Sequence, residues 1–177
     1  MREETLKSSA PTETPASQAA ASSATTQYLT FMLDNEVFAV DIAKVREVLE
    51  YTNITKVPRT PEFMCGIINL RGSVVPVVDM RLKFGMDQSE RTVNTCIIIV
   101  EIVQDDEITE IGALADSVKE VMELEHNKIE PPPKIGTKLR SDFLKGMGKH
   151  NDQFIMILDI NRIFSTEELS AVQQTVH

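Results

Sequence analysis

Hydrophobic side chains recur at every second position along much of this chain. Leu29, Phe31 and Leu33 alternate with Tyr28, Thr30 and Met32, the period of a strand with two different faces. Asp34-Asn35 supplies a turn, and Phe38, Val40 and Ile42 then alternate with Val37, Ala39 and Asp41, which predicts a β-hairpin. Val45 to Leu49 reads as another strand, although Val45, Val48 and Leu49 also suit a helical turn. After Pro58 and Pro61, Glu62 to Gly66 reads as a helical turn. Ile67 to Leu70 is a short strand, Arg71-Gly72 a turn and Val74 to Met80 a further strand. Pro76 cannot donate a ladder hydrogen bond, which puts that strand at an edge or gives it a bulge.

The second half runs the same way. Ile97 to Val103 is a β-branched run with the character of a strand buried on both faces. An acidic turn, Gln104 to Glu107, leads to Ile111, Ala113 and Ala115, then to Val118 to Leu124. Pro131-Pro132-Pro133 reads as a stiff, extended connector, and Phe154 to Ile160 as the last strand. Ser165 and Glu168 fit a capping box opening a short C-terminal helix, with Leu169, Val172 and Val176 as its apolar stripe. The chain is mainly β.

The halves resemble each other. Val45-Arg46-Glu47-Val48 matches Val118-Lys119-Glu120-Val121, and Pro58 matches Pro131, at one offset. Further on, a longer offset pairs Phe63, Gly66, Asp79 and Phe84 with Phe143, Gly146, Asp159 and Phe164. Two copies of one small β-barrel are therefore predicted, near 28–84 and 95–164. Each alone has a marginal core, because small domains bury a lower fraction of their surface. The barrels are therefore expected to share an interface. Residues 1–27 include 18 Ala, Ser, Thr and Pro and lack periodic large hydrophobes, so they read as a disordered tail. Residues 165–177 read as the C-terminal helix and tail.

Composition narrows the function more than it assigns one. The net charge of −9 opposes general binding to nucleic acid or anionic membranes, and 95–164 alone carries 13 acids against 8 bases. No apolar run is long enough to cross a membrane, and no secretory signal opens the chain; a cytoplasmic protein is expected. His126, His150 and His177 lack metal-ligand spacing. Cys65 and Cys96 read as buried structural thiols. Nucleophile-elbow, phosphate-loop and dinucleotide signatures are absent, so neither an enzyme nor a cofactor is indicated. One residue stands out: Arg71, a lone cation at a turn within an apolar stretch. It cannot be buried unpaired without several kcal/mol of cost. Either an internal salt bridge fixes it, or it takes part in recognition.

At these residues the sequence resembles the CheW family of bacterial chemotaxis coupling proteins. The strongest match is Gly66 to Asp79, continuing through Met80-Arg81-Leu82-Lys83-Phe84-Gly85. Phe38 to Val48, Leu114-Ala115-Asp116-Ser117-Val118, Phe143 to Gly148 and Met156 to Ile163 support it. The resemblance covers about 28–168. It implies two intertwined, five-stranded SH3-like barrels in an adaptor without catalytic activity or cofactor. It also implies two partners. One is the regulatory domain of the histidine kinase CheA, held by Val45, Glu47, Val48, Tyr51 and Ile54 on the first barrel. The other is the cytoplasmic hairpin tip of methyl-accepting chemotaxis receptors, held in a groove between the barrels by Ile42, Gly66, Arg71, Val118 and Val121. Self-association into rings stays open.

Relatives with the same domain carry a receiver or kinase domain as well. Only 13 residues follow Phe164, which favours a stand-alone coupler reaching the membrane only through receptor arrays. The alternatives are a scaffold of a non-motility chemosensory pathway and, lower, a small-ligand-binding β-barrel.

Overall fold

The computed structural model describes residues 24–132 and 143–174. Its strands are β1 (Thr25–Leu33), β2 (Glu36–Asp41), β3 (Val45–Glu50), β4 (Met64–Leu70), β5 (Ser73–Asp79), β6 (Cys96–Gln104), β7 (Glu107–Ala115), β8 (Ser117–Glu125), β9 (Leu144–His150) and β10 (Gln153–Leu158). The described residues also form two short α-helices, α1 (Met80–Lys83) and α2 (Thr166–Gln174), and the 3₁₀ turns Ile42–Lys44, His126–Lys128 and Ile160–Arg162. Tight turns join the hairpins. Asp105-Asp106 and Asn151-Asp152 have positive φ at both central residues, as two-residue type I′ loops require and as Asp and Asn tolerate.

The strands form two five-stranded sheets, ordered β3-β6-β7-β5-β4 and β8-β1-β2-β10-β9, each curled into an SH3-like barrel. All neighbours are antiparallel except β5–β7 and β2–β10, which are parallel. Single bridges bring the ends of each sheet together: Thr55↔Ile67 in the first barrel and Glu130↔Met147 in the second. The two orders are the same order, shifted by half the chain. Each half gives its leading hairpin to the other half's barrel: β1–β2 joins β8, β9 and β10, while β6–β7 joins β3, β4 and β5.

This interleaving corrects the contiguous division into 28–84 and 95–164. Alternation locates strands and their faces, but pairing across the chain decides which sheet takes a hairpin. Other details change as well. Order begins before Tyr28, because Thr25, Thr26 and Gln27 pair with Glu125, Leu124 and Glu123, and Thr26 Oγ1 is hydrogen-bonded to His126 Nε2. The rest of the expected tail, and Pro133 of the connector, lie outside the described residues. Met64 to Gly66 is strand rather than helical turn. β5 lies between β4 and β7, and Pro76 is tolerated there because the pairing with β7 starts one residue later, at Val77↔Gly112. A chain starting at Gln27 is expected to melt a few degrees below one starting at Ala24, since it loses two β1–β8 pairs; thermal denaturation of the two truncations checks this.

Each barrel has its own small core, and the largest apolar cluster lies between them. Ile68, Val75, Val77, Ile97, Ile99 and Leu114 fill the first barrel. Tyr28, Val37, Ala39, Leu124, Ile155 and Ile157 fill the second. The shared cluster takes Phe31, Phe38 and Met156 from one side and Val78, Phe84, Ile98, Val100 and Ile102 from the other. The β-branched stretch Ile97 to Val100 of β6 follows directly: Ile97 and Ile99 face the barrel interior, while Ile98, Val100 and Ile102 face the other barrel.

Polar clamps lie beside this interface. Arg81, on α1, grips Asp116 in the β7–β8 link through Nε–Oδ1 (2.8 Å) and Nη2–Oδ2 (2.6 Å), and Asp116 also accepts from the Asp34 N–H at the β1–β2 turn. Lys83 Nζ meets Glu168 at 2.9 Å and lies over the rings of Phe63, Phe143 and Phe164. Ser165 and Glu168 form the expected capping box, and Leu169 and Val172 seat α2. Val176 lies outside the described residues.

Partial burial pushes the Asp116 carboxyl up, but the Arg81 and Asp34 hydrogen bonds outweigh it and leave it below its usual value. Glu168 is likewise lowered: burial opposes, while the Ser165 N–H and Lys83 prevail. Such groups add stability above the unfolded-state pKa and lose it as pH falls through the folded one. Asp79 has the opposite sign, since burial raises it despite N–H bonds from Leu82 and Arg81. Urea midpoints are therefore expected to fall below about pH 4, and to fall less steeply in Asp116→Asn.

Candidate interaction site

The five positions expected to meet a kinase lie on β3 and the segment after it, all within the first barrel. A β-bulge interrupts β3 between Val45 and Glu47. The extra residue, Arg46, pairs outward with Glu101 (2.8 Å) and Glu110 (3.4 Å). The bulge sets Glu47 opposite Ile99, whose side chain belongs to the barrel interior. Val45 is half-buried against the inter-barrel cluster. Val48 is 42% exposed. Tyr51 and Ile54 pack partly on the first core, and the Arg91 guanidinium lies 4.4 Å from the Tyr51 ring centroid.

Arg71 has a partner within the first barrel. It sits at the β4–β5 turn with φ 51°, followed by Gly72 at φ 87°, a conformation that a long side chain rarely adopts. The Gly72 N–H donates to Asn69 Oδ1 at 2.9 Å. From there Arg71 Nη2 donates to both Glu47 oxygens, at 2.9 and 2.7 Å. The bond to Glu47 raises the guanidinium pKa above its already high value. The side chain is nevertheless 74% exposed, so this pair braces the surface of the first barrel rather than its core. It also joins a residue expected at the receptor groove to one expected at the kinase face.

The other groove positions divide. Ile42 and Val118 are half-buried against the inter-barrel cluster, while Val121, on β8 of the second barrel, is 47% exposed. Gly66 is buried in β4, and a Cβ there would lie 2.1 Å from the Thr55 carbonyl oxygen. Its first role is to let the closing bridge form. β8 carries a bulge at the repeat position of the β3 bulge, with Leu29↔Val121 and Phe31↔Val118 flanking it. Val45, Glu47 and Val48 thus correspond to Val118, Glu120 and Val121, so residues expected to meet two different partners occupy equivalent places on the two barrels.

The sequence reading gave no role to Arg81, Lys83 and Asp116. Their signal was two cations flanking Leu82 beside buried Met80 and Phe84, a pattern that calls for acidic partners. Burial pushes the Cys65 thiol up to about 12, helped by Asp79, which leaves it inert as a nucleophile at neutral pH.

The family model for the CheW-like domain matches residues 27–168. This chain belongs to the CheW family. The Klebsiella aerogenes chemotaxis protein CheW is 33% identical over 146 residues, covering 82% of this chain and 86% of that protein. The Rhizobium meliloti chemotaxis protein CheW is 30% identical, covering 82% and 91%. Among solved structures, the scaffolding protein TtCheW from Thermoanaerobacter tengcongensis superposes with a TM-score of 0.73 at 36% identity, covering 82% of this chain and 91% of that one. These relatives are chemotaxis proteins, one of them a scaffolding protein, and this chain is of that chemotaxis scaffold class. Among the described residues no helix is long and apolar enough to cross a membrane.

Proposed function

We propose that this chain is a cytoplasmic adaptor that couples methyl-accepting chemotaxis receptors to the histidine kinase CheA within membrane receptor arrays. The observation that carries the reading is the pair of exposed valines on equivalent bulged strands, Val48 on the first barrel and Val121 on the second. The kinase regulatory domain docks on the first barrel through Val45, Glu47, Val48, Tyr51 and Ile54. The receptor hairpin tip lies in the groove between the barrels, against Ile42, Val118 and Val121, by helix-in-groove packing. Gly66 and Arg71 act from the first barrel, Gly66 by holding the barrel closed and Arg71 by setting the Glu47 carboxylate. Coupling requires contacts that differ between the active and inactive kinase states, and the Arg71–Glu47 pair, which joins one expected kinase contact to one expected receptor contact, is the element proposed to carry that difference.

The test is pairwise binding of the full chain to the kinase regulatory domain and to a receptor hairpin fragment. Val48→Asp is expected to weaken the kinase complex by about tenfold or more and the receptor complex little. Val121→Asp is expected to do the reverse. Both side chains are exposed, so melting should change little; equal losses for both partners in folded protein would overturn the two-surface reading. Arg71→Ala is expected to melt near normally, because exposed ion pairs add little stability, yet to lose receptor-dependent kinase activation in a reconstituted array. The charge swap Glu47→Arg with Arg71→Glu keeps the pair but reverses the rim. It should restore activation if bracing is what matters, and leave it lost if the partner reads the guanidinium itself.

A further inference from the structure

The two barrels differ at one end. In the first, Glu47 receives Arg71 from within the chain. The repeat places Glu120 where Glu47 stands and Asn151 where Arg71 stands. Asn151 has the same φ as Arg71, 51°, and opens the same kind of two-residue turn. Its amide is too short to repeat the ion pair, and the Glu120 carboxylate has no hydrogen bond or ion pair among the described residues. A cavity of ≈ 110 Å³ lies there, lined by Glu120, Asn151, Thr30, His150, Gln153 and Lys119. Thr30 is fully buried and lies opposite the bulge, where the first barrel has Ile99. Its hydroxyl donates to the Glu120 carbonyl at 2.7 Å and accepts from the Glu120 N–H at 3.1 Å, fixing the backbone that carries the acid.

We propose that this mouth of the second barrel is a receiving site for a guanidinium group, the side chain of an arginine presented by a protein partner, at the place that Arg71 fills from within in the first barrel. The carboxylate supplies the charge, and the Asn151 and Gln153 amide oxygens can accept further N–H donors. A planar fork suits such a set of acceptors better than an ammonium does. Lys119 shares the rim as a competing cation, so a single side chain binds weakly, and the contact serves to orient a larger interface. The site is independent of which partner takes the kinase face and which the groove.

The experiment is an amide-shift titration of the isotope-labelled full chain with N-acetyl-arginine methylamide, and with the lysine analogue as comparison. Saturable shifts are expected at Thr30, Glu120 and Asn151, with the lysine compound several-fold weaker. Glu120→Gln should weaken binding several-fold. Asn151→Arg should abolish it by filling the site internally, and this second variant tests the site should Glu120→Gln fail to fold. Shifts that do not saturate, equal affinity for the two compounds, or unchanged binding in folded Asn151→Arg would overturn the proposal. Kinase and receptor binding are not read in this titration, so its failure leaves the adaptor reading standing.

Discussion

Gly66→Ala is expected to cost about 4 kcal/mol or more, in the range reserved for substitutions with a specific steric cause. The added Cβ would lie 2.1 Å from the Thr55 oxygen, 2.7 Å from the Thr55 carbonyl carbon and 2.8 Å from Ile54 Cγ2, at a φ of +147° that side chains rarely adopt. Thr55 cannot retreat freely, because its N–H and carbonyl are both bonded to Ile67, at 2.9 and 2.8 Å. Gly146→Ala tests the equivalent place in the second barrel. There no positive φ is required, the nearest atom, Ile129 Cγ2 at 2.6 Å, is on a side chain that can turn away, and the bridging Glu130 carbonyl oxygen stands at 2.9 Å rather than 2.1 Å. A smaller loss of about 1–3 kcal/mol is expected. Urea unfolding gives both values, and amide exchange at Thr55 and Ile67 reports the bridge. If Gly66→Ala melts like the parent, the closing role is wrong. If it melts far lower, receptor binding lost through this residue is a consequence of lost closure.

Phe84→Ala is expected to cost about 3–5 kcal/mol and to leave a single unfolding transition. The Phe84 ring lies 5.7 Å from those of Phe38 and Phe143, and Phe38 lies 5.9 Å from Phe31, so a row of rings runs through the shared cluster. Phe38 and Phe143 belong to the second barrel's strands and their approach, whereas Phe84 follows α1 at the end of the first barrel's β5. Phe84→Leu, which keeps most of the volume, should cost less than half as much. Two separated transitions in calorimetry would mean that the barrels fold independently despite their exchanged hairpins.

Much of this was legible before any coordinates. Alternation located most of the strands, because each has one face in a barrel core and another against the neighbour or solvent. The double burial of β6 was visible in Ile97 to Val100, but it does not extend to the expected Val103, which is 43% exposed beside the half-exposed Glu101. The repeat was visible because closing two like barrels requires the same glycine, Gly66 or Gly146, and the same aspartate, Asp79 or Asp159, at a strand end. Each aspartate caps the following turn, through Arg81 and Asn161 N–H groups respectively. What stayed hidden was sheet membership. The hairpins β1–β2 and β6–β7 carry the same pattern and fit either partner set, and nothing local distinguishes them. The Arg71–Glu47 pair was hidden for a similar reason: 24 residues separate them, and only the closed barrel brings the β4–β5 turn beside β3.

The exchange of hairpins has a consequence for how the two ends came to differ. The arrangement is what results when two subunits of a symmetric, strand-swapped dimer are joined into one chain by duplication of a single gene. Two identical subunits must present identical ends, so any residue favourable at one end is repeated at the other. Joining them lifts that constraint. Arginine can then stand at position 71 and asparagine at 151, on backbones of the same shape, and one body can offer two different faces to two different neighbours.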